Sequence, residues 1–138
     1  MIAEIKKEFF TYRNGMLADT LRRYGMPHKV IFGLEVPQLA EIARGLTPSE
    51  ELADMLWADS EVRESRLLAC WLYPLDSVTA DKCIALAGSA RTAEEAQMLA
   101  FRIFKRLPFA ASLFEEFEKR RAGNEAFARA ADALAAHL

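Results

Sequence analysis

A degenerate repeat limits the fold more than any other feature of this chain. Placing Arg66, Gln97 and Arg129 in register aligns their surroundings at spacings of 31 (97 − 66) and 32 (129 − 97) residues. Leu67, Met98 and Ala130 then share a column, as do Leu68, Leu99 and Ala131, and Leu72, Ile103 and Ala135. Such a unit has room for one helical hairpin, which cannot cover its own apolar face and must stack on a neighbour. In all three columns the side chains shrink to alanine in the last unit, so the C-terminal helix reads as a cap. Phe127, Leu134 and Leu138 are expected to face the preceding helix, with Ala126, Ala128, Ala133 and Ala136 keeping the rest small and helix-favouring.

No run of residues alternates apolar and polar in the manner of a half-buried strand, so the expected class is all-α. Ile2, Ile5, Phe9 and Tyr12 make one apolar stripe, and Asn14-Gly15 ends or bends that first helix. Leu17 and Leu21 continue on a second helix to about Tyr24. The long break from Gly25 to Gly33 follows, since Gly25 and Pro27 disrupt helix and Gly33 can take positive φ. Pro37 suits the start of a third helix. Thr47-Pro48-Ser49-Glu50 and Thr92-Ala93-Glu94-Glu95 both carry capping-box spacing. Pro74 and Pro108 are expected to close helices beginning near Ser60 and Thr92, and Gly123-Asn124 to separate the last two.

The 138 residues suit one domain spanning 1–138, large enough to bury a core without disulfides or metals. Charges interrupt the N-terminal segment every few residues, leaving no apolar stretch for a signal peptide or membrane span, which points to the cytoplasm. Cys70 and Cys83 lie in apolar helical sequence with no nearby partner to complete a zinc set, so they read as buried reduced thiols, and neither metal nor cofactor is implied. The net charge of −2 counts against tight non-specific DNA binding but leaves room for a local basic face.

Three segments carry a resemblance: Val36-Pro37-Gln38-Leu39-Ala40-Glu41-Ile42-Ala43-Arg44, Leu52-Ala53-Asp54-Met55-Leu56-Trp57 and Glu64-Ser65-Arg66-Leu67-Leu68-Ala69-Cys70-Trp71-Leu72. In order and spacing they resemble the opening helical hairpins of the DNA alkylation repair enzyme family, a group of all-helical DNA glycosylases. The resemblance implies a HEAT-like stack of antiparallel helical hairpins, an α-α solenoid. It covers roughly residues 1 to 110 well and the last hairpin weakly, as in a shortened member of the family.

The resemblance also implies a site: a cleft lined by two tryptophans, an aspartate and an arginine. There a ring stacks on the sugar and cationic lesion, and the carboxylate stabilises charge building on the deoxyribose. The matching segment Arg91-Thr92-Ala93-Glu94-Glu95-Ala96-Gln97 puts Ala93 at the first tryptophan and Gln97 at the aspartate, so both groups are missing. Glu94 and Glu95 sit about 300° and 200° around the helix from Gln97, on other faces. Arg129 matches the arginine, but Arg66 holds the equivalent place in an earlier repeat, which favours a structural role between hairpins.

Trp57 and Trp71 lie in apolar stripes and read as core. His28 and His137 assemble no catalytic set. Basic residues group as Arg22-Arg23 with Lys29, as Arg102 with Lys105-Arg106, and as Lys119-Arg120-Arg121. Arg102, Lys105 and Arg106 have the spacing of one helix face, and with Arg129 they are the candidates for contacting duplex DNA. Two functions of different class follow: an alkylated-DNA-binding or repair-associated protein without glycosylase activity, or a scaffold for a protein partner or a second copy of itself. Active base excision is a third, weakened by Ala93 and Gln97.

Overall fold

The computed structural model describes all 138 residues and is helical throughout, without a sheet. Its helices are α1 (Ile2–Thr11), α2 (Gly15–Arg23), α3 (Val36–Arg44), α4 (Glu50–Ala58), α5 (Arg63–Leu72), α6 (Ala80–Ser89), α7 (Ala93–Arg102), α8 (Ala110–Arg120) and α9 (Glu125–Ala135), with a 3-10 turn at Phe104–Arg106. None is long and apolar enough to cross a membrane. The chain divides into two compact units, Met1–Tyr73 and Pro74–Leu138. The break falls where it does because proline disfavours helical geometry in the residue before it, and Tyr73 is extended at φ −68°, ψ 122°.

In the first unit α4 and α5 form a hairpin and α3 packs on α5. Phe9, Leu34, Leu39, Leu56 and Leu68 are wholly buried there, and Phe9 meets Phe32 at 5.6 Å between ring centroids. Trp57 is buried, as its sequence position predicts, and the Arg66 guanidinium lies 4.1 Å from its ring centroid; Trp71 is half-buried.

The long break is an ordered loop, held by a carboxylate that the sequence does not single out. Glu64, at 0% exposure, accepts from the backbone N–H groups of Phe32 (2.9 Å), Gly33 (3.0 Å) and Leu34 (3.3 Å) and from the Arg63 guanidinium (2.7 Å). Arg63 also donates to the Leu34 carbonyl at 3.0 Å. A single parallel bridge joins Val30 to Val62, and the Arg22 guanidinium donates to the carbonyls of His28 and Lys29. Backbone groups that no helix satisfies thus find partners, as burial requires.

Tyr73 closes the first unit, its hydroxyl donating to Asp54 at 2.6 Å. Burial, reinforced by that hydrogen bond and the Asp54 charge, raises its pKa well above the usual tyrosine value. The folded chain therefore keeps this proton where the unfolded chain, titrating near about 10, releases it. The stabilisation is complete below about pH 10 and is lost as pH rises further. Tyr73→Phe is expected to cost about 1–3 kcal/mol at pH 8, and the gap from wild type to shrink above pH 10, read from urea midpoints across that range.

In the second unit α9 packs on α6, α7 and α8, and the 3-10 turn joins α7 to α8. Phe117 sits between Phe104 (5.3 Å) and Phe127 (6.0 Å), with Leu99, Leu113 and Leu134 buried alongside. Ala130 and Ala131 are wholly buried, so the alanine columns let α9 approach its neighbours closely. The third column ends differently: Leu72 and Ile103 are buried but Ala135 is exposed. Leu138 is 61% exposed beyond the end of α9, so it does not face the preceding helix as its place in the stripe suggested.

Two boundary expectations need correcting. Ser49, not Thr47, caps α4, its hydroxyl accepting from the Leu52 N–H, because Pro48 keeps Thr47 outside the helix. The helix from Thr92 does not run on to Pro108. Ile103, at φ −120° and ψ −67°, ends α7, and the 3-10 turn fills the gap.

Candidate functional site

The residues placed at the site by sequence do converge, in the second unit. Ala93 and Gln97 from α7 and Arg129 from α9 line one open depression of about 470 Å³, together with Asp132, Ala133, Ala136 and His137. Thr92 aims α7 by accepting from the Glu95 N–H at 3.0 Å, and Glu95 answers by accepting from the Arg91 N–H at 2.8 Å. Glu95 is wholly buried in that capping role, so it supplies no acid to the groove. Ala93 and Gln97 are exposed and neutral, so neither of the two matched positions on α7 carries a ring or a charge.

Arg129 is mainly tied into the structure. Its guanidinium donates to the Ala90 carbonyl at 3.1 Å, linking α9 to the segment before α7, and lies 3.6 Å from Glu125 on its own helix. The structural link between hairpins is thus a hydrogen bond to a carbonyl.

Two lining residues had no place in the site expected from sequence. Asp132 brings a carboxylate from α9, three residues after Arg129 and so on the same face, and Arg121 holds it at 3.1 Å. His137 closes one end, 6.3 Å between ring centroids from Phe101. Phe101 could have been found from its spacing, four residues beyond Gln97 and eight beyond Ala93 on one α7 face.

The basic groups differ in what is left for a ligand. Arg22 is spent on loop carbonyls, and Lys119, Arg120 and Arg121 pair with Glu116, Glu118 and Asp132. Lys105 and Arg106 are exposed and bridge to no carboxylate; the Lys105 ammonium rests 4.2 Å from the Phe101 ring centroid. These cations do not share one helix face with Arg102, since Arg102 ends α7 and the other two belong to the 3-10 turn. The cysteines offer no second site. Cys70 and Cys83 are buried, and burial pushes the Cys83 thiol up to about 12.

Among curated proteins and solved structures nothing matches the chain. The protein-family model described as DNA alkylation repair enzyme matches residues 5–121, from the first turn of α1 to the end of α8, taking in Ala93, Gln97, Lys105 and Arg106 and leaving Arg129 beyond its edge. That span is most of the chain and agrees with an all-helical architecture of hairpins, so this chain belongs to the DNA alkylation repair enzyme family.

Proposed function

We propose that this chain is a repair-associated, DNA-binding member of its family that holds duplex DNA through its phosphates and performs no base excision of its own. The observation that carries the reading is the pairing of a neutral groove wall, Ala93 and Gln97, with two exposed cations that no carboxylate neutralises, Lys105 and Arg106. Positions with neither carboxylate nor ring give little stabilisation to a sugar cation, while cations that no carboxylate neutralises are what phosphate contact needs. Asp132 does not restore the acid, because its side chain is 70% exposed and bridged to Arg121.

Each phosphate contact adds about 0.9 to the slope of log affinity against log salt. Wild-type protein is expected to bind duplex DNA at low salt with a steep slope, and the Lys105→Ala/Arg106→Ala double variant to lose about 2 from it. Absence of duplex binding at low ionic strength would overturn the proposal.

A second reading, a scaffold for a protein partner or another copy of the chain, is favoured by one observation in the first unit. Phe10, Met16, Tyr24 and Val30 are exposed there, and Phe10 and Val30 line a shallow depression with Arg13 and Phe32. Exposed apolar side chains on one depression, as Phe10 and Val30 are, favour contact with another protein. Light scattering that finds a dimer, dissociated by Phe10→Ser, would support it.

A further inference from the structure

We propose that Phe101, Lys105 and His137 form a stacking subsite for one unpaired nucleotide at the end of the α7/α9 groove, a proposal that rests on the DNA-binding reading above. Phe101 is 43% exposed, although it stands on a helix whose other large apolar residues, Met98 and Leu99, are buried. Its ring is flanked on two sides. The His137 imidazole lies 6.3 Å away with the planes inclined at 40°, and the Lys105 ammonium is 4.2 Å from the ring centroid. His137 also lines the groove that holds Gln97, so the aromatic pair continues that groove.

A nucleotide fits this combination because it offers a flat π face and an anionic phosphate together. The Phe101 ring takes the base face, as aromatic platforms do for single-stranded nucleic acid whatever the base. Lys105 is exposed and flexible, and its hold on the ring is the weak one of a solvated cation–π contact. On docking, the ammonium moves to the phosphate, where Arg106 joins it, and bares the ring face it had covered. One turn back on α7, the Gln97 amide offers a donor and an acceptor to the base edge. The base must be unpaired, because within a duplex both of its faces are already covered by neighbouring bases.

Fluorescence anisotropy with two labelled oligonucleotides of matched sequence, one a fully paired duplex and one carrying a single bulged adenine, tests this. Wild-type protein is expected to prefer the bulged duplex on the order of tenfold. Phe101→Ala removes the preference while leaving paired-duplex affinity, and Phe101→Trp restores it. Lys105→Ala weakens both substrates. Equal wild-type affinities, or a preference that survives in Phe101→Ala, would overturn the subsite and leave the DNA-binding reading intact. Binding to neither oligonucleotide would overturn both. Phe101 is partly in solvent, so matched melting curves for the Ala and Trp variants separate loss of stacking from loss of fold.

Discussion

Glu64→Ala is expected to lower stability by about 3–5 kcal/mol, a large share of the roughly 5–15 kcal/mol that holds a domain of this kind. The carboxylate is wholly buried and gathers three consecutive backbone N–H groups, from Phe32 to Leu34, and the Arg63 guanidinium. Removing it takes a paired carboxylate away from the buried Arg63 guanidinium and leaves three backbone N–H donors without their acceptor at once. Glu64→Gln is no rescue. An amide has one acceptor oxygen where the carboxylate has two, and its NH2 would face either the Phe32 N–H or the donors of Gly33, Leu34 and Arg63. Both variants are expected to unfold at markedly lower urea than wild type, and hydrogen exchange to rise first at residues 30–34.

Gly33→Ala is expected to cost roughly 3 kcal/mol or more, for two reasons that add. Gly33 sits at φ +87°, where a side chain is strained, and an added Cβ would lie 2.2 Å from the Asn14 carbonyl oxygen and 3.1 Å from the Ala18 nitrogen. Those are backbone atoms, and Asn14 cannot yield cheaply: its side chain caps α2 and its N–H donates to the Phe32 carbonyl at 2.8 Å. Gly25 is the control. It has φ +94° with nothing near the added Cβ, so Gly25→Ala pays only backbone strain, about 1 kcal/mol. Equal losses in the two variants, measured by denaturant midpoints, would contradict the close-approach argument.

These two sites show where the sequence was legible. The helix class, the positive φ of Gly33, the Thr92 cap and the burial of Leu67, Leu68, Leu99 and Trp57 all follow from local periodicity and turn chemistry, which depend on near neighbours. The role of Glu64 does not, because its backbone partners lie about thirty residues earlier, and an acid in a first helical turn ordinarily reads as exposed. Leu138 and the break at Ile103 were missed for a related reason. A stripe can be extrapolated past a helix end, but the turn that stops the helix depends on packing.

The candidate site was legible in part. The family resemblance assigned Ala93, Gln97 and Arg129 to one site, and the structure places them around one groove. The sequence did not reveal that Arg129 is bonded to the Ala90 carbonyl, nor that the three groups of basic residues would end so differently. Charge runs look alike in sequence, and only tertiary contacts decide that Arg121 is spent on Glu118 and Asp132 while Lys105 stays open. Asp132 went unnoticed because it is a single residue on a helix face with no motif around it, whereas Phe101 had only its helical spacing from Ala93 and Gln97 to mark it.

Both halves of the proposed function, DNA binding and the lack of base excision, meet in one measurement. Duplex DNA carrying alkylated purines is incubated with the protein at low salt, and bound fraction and released free base are followed in the same samples. A saturable bound fraction that falls steeply with added salt is expected, with no base released above the protein-free control. Release of alkylated purine in proportion to protein, or no bound fraction at any salt, would contradict it.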